Sequence, residues 1–169
     1  MTQKERFDHI IVIKATDYDK EMYSDINIPV YPLDEVLLET LIKAQISDKL
    51  RGKTTRTLAV FDDIIKPEVL KDKRFKNACA DLFSNSRHYN LSTIWSTQNM
   101  SSIESMYRNN VDLCIIKFMT QRNNLRLIHG DFFGWMKERE FMEFIISRFQ
   151  EDPFVGICRF DKDFRIYYV

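Results

Sequence analysis

The segment Thr57-Leu58-Ala59-Val60-Phe61 is an unbroken run that stops at two adjacent carboxylates, Asp62 and Asp63. An apolar run this short reads as a strand buried under helices, the kind found in parallel sheets. His9-Ile10-Ile11-Val12-Ile13-Lys14 has the same character, and Ser92–Thr97 and Asp112–Met119 supply two further candidate strands. Helical periodicity fills the intervals. Leu33, Val36, Leu37, Leu41 and Ala44 share one face of a helix from Leu33 to about Leu50, with Pro32 ahead of it and Asp34 suited to its start. Pro67 suits the opening of a second helix running to about Arg87, with Val69, Leu70, Ala78, Leu82 and Phe83 as its apolar set. Ser101 or Ser102 is a candidate cap for a short helix through Tyr107, and Gln121–Ile128 and Trp135–Phe149 read as helices. Phe154–Phe160 and Phe164–Val169 read as a terminal hairpin around Asp161-Lys162. The stretch holding Pro29 and Pro32 reads as turns, and Arg51–Arg56 as a basic loop. Strands alternating with helices predict an α/β fold with a mostly parallel sheet, here as one domain over 1–169. Such sheets place ligands at the carboxyl ends of their strands.

Composition removes several classes. The 25 Lys and Arg balance 25 Asp and Glu, so this is not a strongly basic nucleic-acid binder, although local basic patches remain open. The four glycines, Gly52, Gly130, Gly134 and Gly156, form neither G-x-G-x-x-G nor G-x-x-x-x-G-K, the backbone-rich cradles for dinucleotides and triphosphates. Cys79, Cys114 and Cys158 are odd in number and widely spaced, which suits buried thiols better than a disulfide frame or a zinc site. No apolar run resembles a signal peptide or a membrane span, so the expectation is a soluble intracellular protein with no membrane partner.

A buried strand that ends on two acids suits a hydrated Mg²⁺, which takes oxygen ligands from one or two carboxylates, water and phosphate. One acid then holds the ion's hydration shell, and the other orients or deprotonates a water for attack on a γ-phosphate. Four apolar residues followed by two acids is a Walker B pattern, although many strands simply end at Asp in a turn. A receiver-type or phosphatase domain built on Asp62-Asp63 needs another acid at a neighbouring strand end, where Gln98 stands instead.

The segment Ser86-Arg87-His88-Tyr89-Asn90-Leu91-Ser92-Thr93-Ile94-Trp95-Ser96-Thr97-Gln98 resembles the signature after Walker B in the FtsK–HerA superfamily of DNA-pumping ATPases. There an Arg closes a helix and a buried strand ends in Thr-Gln. Tyr107-Arg108-Asn109-Asn110 leading into Val111–Phe118 resembles the family's next turn and strand. The F-D-D-I and S-R-H-Y-N-L-S wording is most similar to the poxvirus-type genome-packaging ATPases of large DNA viruses. The resemblance implies a RecA-like three-layer P-loop NTPase sheet containing Ile10–Lys14, Thr57–Asp62, Ser92–Thr97 and Asp112–Phe118, with Thr57–Asp62 between the first and third. It implies ATP and Mg²⁺ as cofactors, double-stranded DNA as substrate, a homo-oligomeric ring, a capsid protein as a further partner, and a viral factory or virion as location. By the same resemblance Asp62 holds Mg²⁺ through water, and Asp63 is the catalytic acid, often Glu in relatives. Gln98 is the sensor of the γ-phosphate or attacking water. Arg87 is a candidate arginine finger reaching a neighbouring subunit, and is then exposed and turned away from its own Asp62. As a plain helix-end cation it serves only the macrodipole.

The resemblance also marks what these residues lack. The family's first strand, phosphate loop and following helix belong before His9, where only Met1–Asp8 stand. Gly52-Lys53-Thr54 has Ser47 where the first glycine of a phosphate loop belongs, and it precedes the wrong strand. In the family order the missing strand lies between Ser92–Thr97 and Asp112–Met119. Either those two pair directly, or another chain fills the gap, or the chain is one piece of a split or truncated gene, an N-terminally truncated ATPase core. The expectation is that the 169 residues alone do not turn over ATP, with a polypeptide that supplies the phosphate loop as one candidate partner. The alternative is a catalytically inactive paralogue with a structural or regulatory role. Lys71, Lys73, Arg74 and Lys76 form a basic stretch that suits DNA phosphates or a solvated face, and Arg122, Arg126 and His129 share helical spacing with the same two readings.

Overall fold

The computed structural model of the chain describes residues 6–15, 23, 25–63, 71–158 and 165–168. They gather into two compact units, 1–98 and 99–169.

In the first unit, β1 (His9–Lys14), β2 (Val30–Pro32), β3 (Thr57–Asp62) and β4 (Leu91–Trp95) form one parallel sheet in the order β2-β1-β3-β4. The registers are even. His9 faces Thr57 and Lys14 faces Asp62, while Thr57 faces Leu91 and Phe61 faces Trp95, so the carboxyl ends of three strands align. As expected, β3 lies between the strands either side of it. The short strand β2 was read as turns; it follows Pro29 and ends on Pro32, and it survives because it is a sheet edge, where a missing N–H breaks no ladder.

Helix α1 (Glu35–Leu50) begins where Asp34 accepts from Leu37 N at 2.5 Å, the cap its sequence suggests. Helix α2 (Lys73–Asn85) is capped by Asp72, which accepts from Arg74 N and Phe75 N at 2.7 and 3.0 Å. The expected opening at Pro67 lies outside the described residues. Helices α1 and α2 pack on each other, and Phe75, Ala78, Cys79 and Leu82 of α2 are buried. Trp95 stacks on Phe61 at 4.1 Å and meets Phe83 of α2 at 4.8 Å, which ties the helix to the end of the sheet.

The second unit opens with a 3₁₀ turn, Met100–Ser102, whose cap is Asn99 rather than either serine. The Asn99 carboxamide accepts from Ser101 N at 3.1 Å, an Asx turn that the serines, already inside the turn, cannot make. There follow α3 (Ser105–Arg108), β5 (Leu113–Lys117), α4 (Arg122–Phe132), α5 (Glu138–Glu151), β6 (Phe154–Cys158) and β7 (Arg165–Tyr168). Helix α5 starts three residues after Trp135, because Gly134 and Trp135 are spent in the turn from α4. Ile116, Leu125, Ile128, Phe132, Phe133, Phe141, Ile145, Val155 and Ile157 make the core. The terminal hairpin is present as β6–β7; its turn, with Asp161 and Lys162, lies outside the described residues.

One expectation is corrected here. The strand read as Asp112–Met119 does not join the parallel sheet. It is antiparallel to β6, with Leu113 facing Cys158 and Lys117 facing Phe154, in a separate sheet of order β5-β6-β7. Val155 and Ile157 of β6 offer it a buried apolar partner within the same unit. Among the described residues β4 and β5 are each an edge strand of their own sheet.

Arg108 is a buried cation of this unit. Its Nε donates to Asp131 Oδ2 of α4 at 2.5 Å, and its Nη1 donates to the carbonyls of Met100 and Ile103. The basic-Asn turn of the sequence is therefore a clamp that holds 100–108 on α4. Among the described residues no helix is long and apolar enough to cross a membrane.

Candidate functional site

The aligned strand ends of the first unit gather the polar groups. The register of β1 on β3 sets Lys14 beside Asp62, with Nζ 3.4 Å from Oδ2. The hydroxyl of Tyr23 donates to the same oxygen at 2.8 Å, and its ring lies 5.3 Å from Lys14 Nζ. Burial, then the hydrogen bond to Asp62 and its charge, push the Tyr23 phenol up to about 12.

Asp63 leaves the strand in the left-handed region, φ 49°, a conformation that costs an L-residue strain and that Asp tolerates better than most. The turn brings its Oδ1 to Gln98 Nε2 at 3.4 Å. Gln98 follows β4 because Ser96 N still donates to Phe61 O at 2.8 Å, carrying the ladder past Trp95 before the chain turns out. The structure thus brings Asp62, Asp63 and Gln98 to one end of the sheet. Asp62 and Asp63 are half-buried and Gln98 is exposed.

Arg87 is not part of that cluster. It sits in a 3₁₀ turn, Ser86–Tyr89, that leads into β4, at the amino ends of the strands. The six residues of β3 separate the two ends by roughly 17 Å, more than an arginine side chain spans. Arg87 is exposed. Its turn is held firmly: Lys49 Nζ donates to His88 O at 2.8 Å, Thr57 N donates to Asn90 O at 3.0 Å, and Asn90 takes a left-handed φ of 56°. Gln45 is buried beneath it, accepting from Thr57 Oγ1 at 2.5 Å and donating to Tyr89 O at 2.9 Å.

The Gly52-Lys53 loop is a helix C-cap. Gly52 has φ 72°, and Lys53 pairs with Asp48 at 3.4 Å. The Thr55 hydroxyl holds the Asp48 carboxyl below its ordinary range, with Lys53 adding to the effect. Lys71, Lys73, Arg74 and Lys76 are all exposed around the start of α2. Of the second basic set, Arg126 pairs with Glu138 at 2.9 Å and His129 Nε2 lies 2.7 Å from Met136 O, so both serve the α4–α5 connection. The second unit carries an open polar pocket of about 420 Å³, lined by Asn99, Ser101, Gln121, Arg122, Asn123 and Asn124.

Sequence reasoning missed Lys14 and Tyr23. Lys14 had a signal, since a lysine closing an apolar strand beside a strand closed by Asp pairs with it in an even register. Tyr23 had none. The donor set suits a hydrated Mg²⁺: it is made of carboxylate oxygens, and among the described residues both partners of Asp62 bind Oδ2, leaving Oδ1 to a ligand. The triphosphate cradle is another matter, because no G-x-x-x-x-G-K-[ST] occurs in these residues.

The chain superposes on the genome packaging NTPase B204 of Sulfolobus turreted icosahedral virus 2, solved with ATPγS, at a TM-score of 0.61. The match covers 97% of this chain and 83% of B204 at 16% identity. The fold is that of a viral genome-packaging NTPase. The same fold extends to EssC ATPases 2 and 3 of Geobacillus thermodenitrificans, at a TM-score of 0.57 and 11% identity over 69% of this chain and 27% of EssC. In sequence the chain is 25% identical over 146 residues to uncharacterized protein 075L of Invertebrate iridescent virus 6. That match takes in 84% of the chain but 55% of 075L, so the chain spans about half the length of this relative. No protein-family profile matches the chain.

Proposed function

We propose that these residues form the acid-and-sensor part of an ATP-driven motor that moves double-stranded DNA into a viral capsid. The observation that carries the reading is the meeting of Asp63 and Gln98 at the carboxyl end of the parallel sheet, in a packaging-NTPase fold. Asp63 accepts the proton of the attacking water, and Gln98, hydrogen-bonded to Asp63, holds that water or a γ-phosphate oxygen in line. Asp62 presents Oδ1 to the hydration shell of Mg²⁺, which when bound neutralises developing phosphate charge. Arg87, on its pinned turn far from Asp62, acts on the nucleotide of the next subunit in a homo-oligomeric ring. The exposed Lys71, Lys73, Arg74 and Lys76 face DNA phosphates. The phosphate loop comes from polypeptide outside these 169 residues. The working place is the viral factory or the virion.

One observation favours a second reading. Asp62 already has a cation, Lys14, which suits an inactive paralogue that assembles with a motor or capsid partner. Phosphate release separates the two. The chain alone, with ATP and Mg²⁺, is expected to be inactive. Activity that appears on adding a polypeptide carrying the missing strand and phosphate loop, and that vanishes in Asp63→Asn, supports the motor. Silence under both conditions supports the paralogue. Steady turnover by the chain alone refutes the need for an outside loop.

A further inference from the structure

The carboxylate at the end of β3 comes with its own cation. Lys14 is 6% exposed, and a lysine so buried persists only where an anion answers it. Asp62 Oδ2 is that anion, at 3.4 Å, and the Tyr23 ring at 5.3 Å adds a cation–π contact on the same ammonium. The Tyr23 hydroxyl, 2.8 Å from the same Oδ2, fixes the carboxylate plane from a second direction. Asp63 is directed elsewhere, to Gln98. The two adjacent acids and Lys14 together carry a single net negative charge instead of two.

We propose that Lys14 is a built-in counter-ion of these carboxylates: it neutralises Asp62 while no divalent cation is bound and weakens the hold of the site on a bare divalent cation. This rests on the reading of Asp62 as the cation-holding acid. A cation on Oδ1 must share the carboxylate with the ammonium on Oδ2, and the two repel. Lys14 is a positioning residue and touches neither nucleotide nor water in this role.

The test is a Mn²⁺ titration of the 169-residue chain without nucleotide, followed by electron paramagnetic resonance of the free ion. Lys14→Met, Lys14→Gln and Asp62→Asn are compared with the parent. Lys14→Gln keeps a donor for Oδ2 and so a folded variant if Lys14→Met fails, with circular dichroism as the check. Both Lys14 variants are expected to bind Mn²⁺ at least about tenfold more tightly: roughly tenfold is the effect of removing a unit charge roughly 6 Å from a divalent ion at the dielectric of water, and the burial of Lys14 enlarges it. Asp62→Asn is expected to lose that binding. If the folded Lys14 variants bind no more tightly while Asp62→Asn still loses binding, the counter-ion role is wrong and the cation site stands. If Asp62→Asn changes nothing, or no variant binds Mn²⁺, the cation site and the counter-ion fall together.

Discussion

Replacing Asp131 with alanine should unfold the second unit far more easily than a surface change of the same size. The side chains of Arg108 and Asp131 are 8% and 12% exposed, so the guanidinium cannot turn to water when its carboxylate is removed. Breaking a buried pair from one side costs about 3–5 kcal/mol. Arg108 keeps the carbonyls of Met100 and Ile103, which places the expected loss at the lower end, about 3 kcal/mol. With a urea slope of about 2 kcal/mol/M, the midpoint falls by about 1.5 M. The chain has two tryptophans, one in each unit, so a Trp95→Phe background leaves Trp135 as the fluorescent reporter of the second. Removing both partners, as Arg108→Met with Asp131→Ala, should cost less than Asp131→Ala alone, because no charge is then stranded. A loss below about 1 kcal/mol for Asp131→Ala, or a double variant equal to the sum of the singles, refutes the clamp.

Further outcomes follow from the first unit. In alkaline absorbance titration one tyrosine should ionise near pH 12, and Asp62→Asn should lower that midpoint only part of the way to 10, since burial is the larger cause and remains. Because the folded value of Tyr23 is raised, its contribution to stability is complete below pH 10 and is lost as pH climbs from there to about 12; an unfolding midpoint that rises over that range contradicts the assignment. At Asp63, φ 49°, Asp63→Gly should leave thermal stability unchanged or raise it by up to about 1 kcal/mol, whereas Asp63→Val should lower it by about 2 kcal/mol. Equal melting of the two variants would remove the case for strain. Gln45→Ala should cost about 2 kcal/mol in urea unfolding by leaving Tyr89 O and Thr57 Oγ1 without their buried partner, and Gln45→Glu should not restore it, because a carboxylate cannot donate to Tyr89 O.

Much of the first unit was legible because its strands are continuous apolar runs and α1 carries its cap, although α1 buries Leu38, Ile42 and Gln45 and leaves Val36 and Ala44 of the expected face exposed. Asp34 was read correctly as the start of α1, and the placement of Asp63 and Gln98 at one strand end followed from two runs that stop on polar residues. The strand at Leu113–Lys117 was legible as a strand but not as to its partner, since nothing local in L-C-I-I-K distinguishes a parallel neighbour from an antiparallel one. Strand β2 was hidden by two prolines that only an edge position tolerates. The Arg108 clamp was read as a turn because its partner, Asp131, lies 23 positions away and burial alone turns that pair into structure.

The even parallel register also sets a schedule for synthesis. The first residue of β1, His9, waits for Thr57, 48 positions later, and Thr57 in turn waits for Leu91. At about 5–20 residues per second, the Ile10–Ile13 run leaves the ribosome roughly 2–10 s before β3 follows it. The small strand β2 arrives sooner, as Val12 pairs with Val30 only 18 positions on. It gives the nascent run an early hydrogen-bonded neighbour along one side while the long crossover is still being made. A strand of three residues thus covers one edge of the Ile10–Ile13 run before β3 arrives.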